Sequence, residues 1–189
     1  MISTRLTWKV SVIGEPGSGK SSLISRMAYD SDSVSGSLRG LIRKKMNVVY
    51  NGETRNVEFL FQEIDGFTGA DNLLSSSNGV IIVVDITNPV DLKSLVKFVD
   101  FISNFGKNPL IFIAGSKADR RYEAKIWEED LEPLRKTPTT KLYMVSSRQP
   151  DTVKNMLNDI GVSLLKRTLE RKCVEWKGNL RKSSIQHNR

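Results

Sequence analysis

The sequence predicts an α/β fold: a mixed, six-stranded, doubly wound sheet with helices on both faces. Three features of the 189-residue chain point there. Apolar runs of strand length alternate with segments of helical period, the signature of α/β architecture. Two of those runs, "GVIIVVD" and "PLIFIAG", are apolar on both faces, as parallel strands between helices are. One Asn-Gly pair marks a hairpin, and with it an antiparallel edge strand, in a pattern otherwise linked by crossovers.

The elements follow in order. "WKVSVI" (8–13) is the first strand and runs into a glycine-rich loop. "GKSSLISRMAYD" is a helix with Leu23, Ile24 and Met27 on one face. "SDSVSGSLRG" (31–40) is a polar loop. "MNVVY" and "ETRNVEFLF" form a hairpin around Asn51-Gly52, which supplies the two φ > 0 positions of a type I′ turn. The buried strand 79–85 comes next. Residues 89–106 read as a helix: Leu92, Leu95, Val96, Val99 and Ile102 repeat at helical spacing, Pro89 suits the first turn and Gly106 the end. Strand 109–115 leads to a helical segment "AKIWEEDLEPLRK", broken or kinked at Pro133. "KLYMVS" (141–146) is the last strand. Residues 151–169 form a final helix, capped by Asp151, with Val153, Met156, Leu157, Ile160 and Leu164 sharing a face. The expected organisation is one folded domain, 1–170, and a basic C-terminal tail, 171–189, as an extended helix end or disordered.

Composition narrows the chemistry. Cys173 is the single cysteine, so an intramolecular disulfide is impossible and a reducing, cytosolic setting is the simpler reading. No apolar stretch reaches the ~20 residues of a membrane-spanning helix. "MISTRLTWKV" lacks the apolar core of a signal peptide, Ile2 excludes glycine myristoylation, and "SIQHNR" is not a prenylation box. The expectation is a cytoplasmic protein, not secreted, whose only route to a membrane is peripheral. His187, the single histidine, falls in the expected tail, which argues against a Ser–His catalytic triad, and one histidine with one cysteine cannot assemble a structural zinc site. Net charge is +8, and most of the excess lies in Lys166, Arg167, Arg171, Lys172, Lys177, Arg181, Lys182 and Arg189 against Glu170 and Glu175. Such a tail can make weak, salt-sensitive contact with an anionic membrane or an acidic partner. The simpler expectation is a solvated helix end. No aromatic platform beyond Trp176 accompanies it, so sequence-specific nucleic-acid binding is not expected.

The chemistry concentrates in "GEPGSGKS": Gly14, Glu15, Pro16, Gly17, Ser18, Gly19, Lys20 and Ser21, followed by Ser22. A strand, Gly-x4-Gly-Lys-Ser and a helix make the P-loop pattern. Successive backbone N–H groups cradle phosphate oxygens, glycines let the chain approach, and the helix adds its positive end. Lys20 reaches the β- and γ-phosphates, and the Ser21 hydroxyl serves Mg²⁺.

Later segments select the base. "LIFIAGSKAD" ends in Ser116-Lys117-Ala118-Asp119, which resembles the "NKxD" guanine motif of Ras-like small GTPases. An Asp carboxylate accepts two N–H bonds from the guanine edge, a donor pair adenine lacks. The Lys117 stem can cover the base face. "MVSSRQ" is similar to the family's "SAK" loop, which implies Ser146, Ser147 and Arg148, with the Ser147 N–H directed at guanine O6. "VVDITNPVDLKSLVKF" also looks like the Rab or Ras segment after the fourth strand, so the resemblance spans residues 8–170. Ser116 stands where the family has Asn, whose amide braces the P-loop; a serine can do part of that.

The resemblance implies that the third strand ends in a "DxxGQ" motif, and here the text is "LFQEIDGFTGAD". One register puts Glu63 at the Asp, Gly66 at the Gly and Phe67 at the Gln; another uses Asp65 and Gly69. Glu63 or Asp65 would then serve the Mg²⁺ shell through water, and the Gly66 N–H would meet the γ-phosphate. Lys20 and Gly66 carry the catalytic contribution. Phe67 can neither donate to a water nor accept from one. Alternation turns Gln62 away from the metal if Glu63 faces it. The switch I threonine has no clear counterpart; Ser33, Ser35 and Ser37 are candidates for the metal, and Arg39 for phosphate. The implied protein is a GTP/GDP switch that slowly hydrolyses GTP to GDP and phosphate with Mg²⁺. Effector or regulatory proteins would bind residues 31–45 and 64–78. Two other readings stand beside it: a nucleotide-binding interaction module with little or no hydrolysis, and an ATP-using P-loop kinase or ATPase with Asp85 as its Walker B carboxylate and "DRRY" as a weak lid.

Overall fold

Asn51 and Gly52 both adopt positive φ, 51° and 77°, and fold β2 (Leu41–Tyr50) onto β3 (Glu53–Asp65) as an antiparallel hairpin. Both strands run farther than the sequence suggests. From Val57 onward β3 is held by parallel pairing with β1 (Leu6–Gly14), from Leu6 against Val57 to Gly14 against Asp65. The computed structural model describes residues 6–31, 40–67, 74–104 and 108–186. The remaining strands are β4 (Gly79–Asp85), β5 (Leu110–Ser116) and β6 (Lys141–Met144), and the sheet order is β2-β3-β1-β4-β5-β6. All pairs except β2–β3 are parallel. This is the mixed six-stranded sheet the sequence predicts.

Two cores flank the sheet. On one face, Leu23, Ile24 and Met27 of α1 (Lys20–Tyr29) pack with Phe59, Phe61 and the side chains Val153, Met156, Leu157, Ile160 and Leu164 of the last helix. On the other, Leu95, Val99 and Ile102 of α2 (Leu92–Ser103) pack with Ile82, Val84, Ile113, Leu131 and Leu134. Each fully buried Leu, Ile, Val or Phe contributes roughly 1.5–3 kcal/mol relative to exposure. β4 and β5 are buried at every position, so the centre of the sheet is fixed from both sides.

Several boundaries differ from the sequence reading, each for a local reason. α2 starts at Leu92, because the Asp91 carboxylate accepts from the N–H groups of Lys93 and Ser94 and caps it; Pro89 lies outside the helix. The segment expected as one helix around Pro133 is a short α3 (Glu128–Leu131), entered through an Asp130 carboxylate that accepts the Trp127 N–H, and then a 3₁₀ turn at Glu132–Leu134. β6 stops at Met144. α4 begins at Pro150, with Asp151 in its first turn rather than at its cap, and runs to Gln186. No proline interrupts it, so residues 171–186 continue the helix that starts inside the fold. Among the described residues, no helix is long and apolar enough to cross a membrane.

Candidate functional site

β1 delivers the chain to the loop at Gly14. A Cβ there would lie 2.4 Å from the Val83 carbonyl oxygen and 2.9 Å from Ser18 Oγ, so only glycine fits. The loop turns through a bond from the Ser18 N–H to the Glu15 oxygen (3.1 Å) and enters α1, whose first bond runs from Leu23 N–H to the Gly19 oxygen (2.9 Å). Glu15, Pro16 and Gly17 are exposed, whereas Ser18 and Lys20 are buried.

The Lys20 side chain folds back under this loop. Its Nζ donates to the Glu15 carbonyl oxygen and pairs with Asp65 Oδ1, each at 2.9 Å. Beside it, Ser21 Oγ donates to Glu63 Oε1 at 2.6 Å. Glu63 and Asp65 stand two apart on β3 and therefore share a face. The sequence left the choice between them open; both reach the loop, and they divide its hydroxyl and its ammonium between them. Gly66, at φ +69°, donates its N–H to the Gly14 oxygen (3.0 Å) and closes the end of β3 onto β1. Gln62 points to the other side of the strand, where its Oε1 is buried without a hydrogen-bond partner. The Phe67 ring packs on Phe98 of α2 (centroids 4.8 Å apart), and Phe98 in turn meets Phe101.

The ends of β5 and β6 build the other half. Ser116 Oγ donates to the Ser18 carbonyl oxygen at 2.6 Å and lies 3.2 Å from that of Val84. The serine thus ties β5 to the phosphate loop. Lys117 adopts φ +61° and donates Nζ to Asp85 Oδ2 at 2.6 Å. Asp85 also accepts from the Thr87 N–H (2.9 Å), Thr87 Oγ1 (2.7 Å) and Asn88 Nδ2 (2.8 Å). Burial pushes its carboxyl up, but the bonds from Lys117 and Thr87 outweigh that, and the net shift is below the ordinary value. Asp119 Oδ1 accepts from Ser146 Oγ at 2.5 Å, and Arg148 lies 3.6 Å from Oδ2. Ser146 Oγ accepts from the Arg148 N–H, and the Ser147 carbonyl oxygen accepts from Arg26 Nε of α1 at 2.7 Å.

Gly19 and Ser22 at one end and Ser116, Lys117, Asp119 and Ser146–Arg148 at the other line a cleft of ≈380 Å³. The segments singled out in the sequence as phosphate-binding and base-binding therefore meet at its two ends. Sequence reasoning missed Leu23, Arg120 and Val145 in the wall, and the Thr87 and Asn88 support of Asp85. The last was signalled by "DITN", since Asp followed by Thr and Asn is turn chemistry. Ser33, Ser35, Ser37, Arg39, Gly69, Gly106 and His187 lie outside the described residues, as do 32–39 of the first switch loop and 68–73 of the second.

The donor set suits Mg²⁺. A hydroxyl and a carboxylate 2.6 Å apart are hard oxygen ligands beside the loop. Among the described residues no three His, Cys, Asp or Glu side chains gather into a cation site, so phosphate oxygens would complete the shell, as they commonly do for this ion. The sequence model of the Ras family matches residues 9–166, from β1 into α4. No curated protein matches the chain.

Proposed function

The chain belongs to the Ras family, and from that premise we propose that it is a small GTP-binding protein that alternates between GTP and GDP and hydrolyses GTP slowly. The observation that carries this reading is the shared cleft. Asp119 and Lys117 open into the space that begins at Gly19, and Ser116 ties their strand to the loop. A carboxylate in that wall suits the two N–H groups of a guanine edge, for which Asp119 would exchange its bonds to Ser146 and Arg148. The Ser147 N–H would take guanine O6.

Gly14 to Ser22 would hold the phosphates, with Lys20 neutralising oxygens of the β- and γ-groups. Ser21, with Glu63 or Asp65, would hold Mg²⁺, which when bound offsets the charge that develops on the phosphate oxygens. Hydrolysis transfers the terminal phosphoryl group to water: the bond from γ-phosphorus to the bridging oxygen breaks and a bond to the water oxygen forms. Lys20 and the Gly66 N–H lower that barrier by charge stabilisation. Gly66 must first release the Gly14 oxygen. Phe67, engaged with Phe98, has no polar atom to orient the water, and this is why the reading is a slow enzyme. Residues 31–45 and 64–78 would bind effector or regulatory proteins according to the nucleotide held. The folded unit, 1–170, would act in the cytoplasm, with the tail from 171 making weak contact with an anionic surface.

The test is nucleotide competition followed by single-turnover hydrolysis. GDP should displace labelled GTP, and a large excess of ATP should not. Rapid multiple turnover by the isolated protein would rule out the slow switch. Phe67 also favours a second reading, a binding module without hydrolysis, which would keep its GTP intact for hours. The ATP-using reading has less support, because the chain belongs to the Ras family and Lys117 and Asp119 line the cleft.

A further inference from the structure

We propose that Asp65 sets the preference of the site between nucleoside diphosphate and triphosphate, by standing on Lys20 as an anionic substitute for the terminal phosphate. This rests on the guanine-nucleotide reading above and adds a specificity-determining residue to it.

Lys20 has three N–H donors. Within the described residues, two are used, by the Glu15 carbonyl oxygen and by Asp65, both at 2.9 Å. The two ends of the ion pair differ in exposure. The Lys20 side chain is 2% exposed and that of Asp65 75%. The ammonium is therefore buried, and the carboxylate paired with it faces solvent, on the side from which an anion would approach. The backbone beneath Asp65 is held on both sides. Two residues earlier Glu63 is bonded to Ser21, and one residue later the Gly66 N–H is bonded to Gly14. Asp65 is thus presented to Lys20 by its strand.

The position also says which phosphate it competes with. Asp65 pairs with Gly14 at the end of the β1–β3 ladder, next to Gly66, whose N–H the resemblance directs at the terminal phosphate. A diphosphate seated in the loop can use the remaining Lys20 donor and leave Asp65 in place. A triphosphate brings a further anionic group to the side of the ammonium that the carboxylate covers. Two like charges on one cation repel, and in a partly dry site they do so more strongly than in water. The triphosphate must therefore push Asp65 off, and the diphosphate need not; the Mg²⁺ role then falls to Glu63, which is bonded to Ser21.

The experiment uses full-length protein stripped of nucleotide and measures dissociation constants for GDP and for a non-hydrolysable GTP analogue, in the wild type, Asp65→Asn, Asp65→Ala and Glu128→Gln. Glu128 is an exposed carboxylate of α3 and controls for net charge. The wild type should favour GDP by at least about threefold, and both Asp65 variants should narrow the ratio at least about threefold by binding the triphosphate more tightly, as removal of one like charge predicts. Glu128→Gln should leave it unchanged. A smaller narrowing, a wild-type ratio near one, or an equal effect of Glu128→Gln overturns the proposal while the guanine reading stands. If no version binds either guanine nucleotide at millimolar concentration, the guanine reading falls and takes this inference with it.

Discussion

At the ends of β5 and β6 the charged groups are bound to one another. Asp85 holds Lys117, Thr87 and Asn88, and Asp119 holds Ser146, with Arg148 beside it. At the end of β3, two carboxylates sit on the two side chains that would otherwise grip phosphate and metal, and the next residue after Gly66 is an aromatic packed on α2. Both ends are closed on internal partners, so Asp119 as well as Lys20 and Ser21 must exchange a bond before it takes an external group. What differs is the sequence, which departs from the family pattern at the end of β3 far more than at the ends of β5 and β6.

The largest expected effect breaks the base end. Asp119→Ala removes the one carboxylate among the described residues of the cleft wall, which the proposed function assigns to two guanine N–H groups. The preference for GTP over ATP should fall by about 10³-fold or more, the range seen when a site loses the groups that pair with a substrate N–H or O–H. Competition of labelled GTP by ATP reads this directly, and an unchanged preference would mean that the base is chosen elsewhere. At the phosphate end, Phe67→Gln installs a side chain able to orient water and should raise the single-turnover rate about tenfold. The same change removes the ring contact with Phe98, at a cost of about 0.5–1.5 kcal/mol in stability. Phe67→Leu controls for that loss and should leave the rate where it is. A Gln variant no faster than the Leu variant would mean that the rate is limited by the internal bonds of Lys20 and Ser21 rather than by the water.

The sequence made the phosphate loop and the Lys-x-Asp segment legible as patterns and left the end of β3 open, for a physical reason. "GxxxxGKS" after a strand, Asn51-Gly52, the all-apolar β4 and the Lys-x-Asp after β5 are local patterns, each fixed by the backbone geometry it serves. Whether Glu63 or Asp65 meets the loop is a question of reach, one methylene against a shift of two residues along a strand, and alternation places both on one face without ranking them. That both reach it depends on the register of β3 on β1, a long-range property. The same holds for Pro89 against Asp91 at the start of α2, where a side-chain cap decided the boundary, and for α4, which continues past Leu169 because nothing in its own sequence stops it. Phe67 was readable as a residue unable to activate water, but not as a partner of Phe98, which lies thirty-one positions along the chain.

A smaller effect tests the tie between the two ends. Ser116→Ala removes the bond to the Ser18 oxygen and the contact with that of Val84 in a buried setting. Leaving such acceptors unpaired costs about 1–3 kcal/mol, and the loosened loop should bind both GDP and GTP a few-fold more weakly while keeping its base preference. Denaturant unfolding and nucleotide titration on the same variant separate the two consequences. If stability drops and affinity does not, Ser116 supports the strand ends only and the loop is positioned without it.

The smallest effect concerns Asp85, and its sign follows from the direction of its shift. The folded carboxyl titrates below the ordinary 3.8 because the bonds from Lys117 and Thr87 overcome the upward push of burial. A group with a lowered folded value stabilises the fold fully above its unfolded value and loses that contribution as pH falls through the folded one. Unfolding free energy should therefore differ between wild type and Asp85→Asn by a constant amount from pH 7 to about 5, and that difference should shrink below about pH 4. Lys117 is partly exposed, so solvent screening holds the effect to about 1 kcal/mol. The comparison must be a difference between the two proteins. Asp91 and Asp159 are also shifted downward and make any single acid titration steeper, but they are common to both chains and cancel. A difference that persists unchanged to pH 3 would show that the folded carboxyl is not shifted downward and that the charge of Asp85, its pairing with Lys117 included, adds nothing to stability.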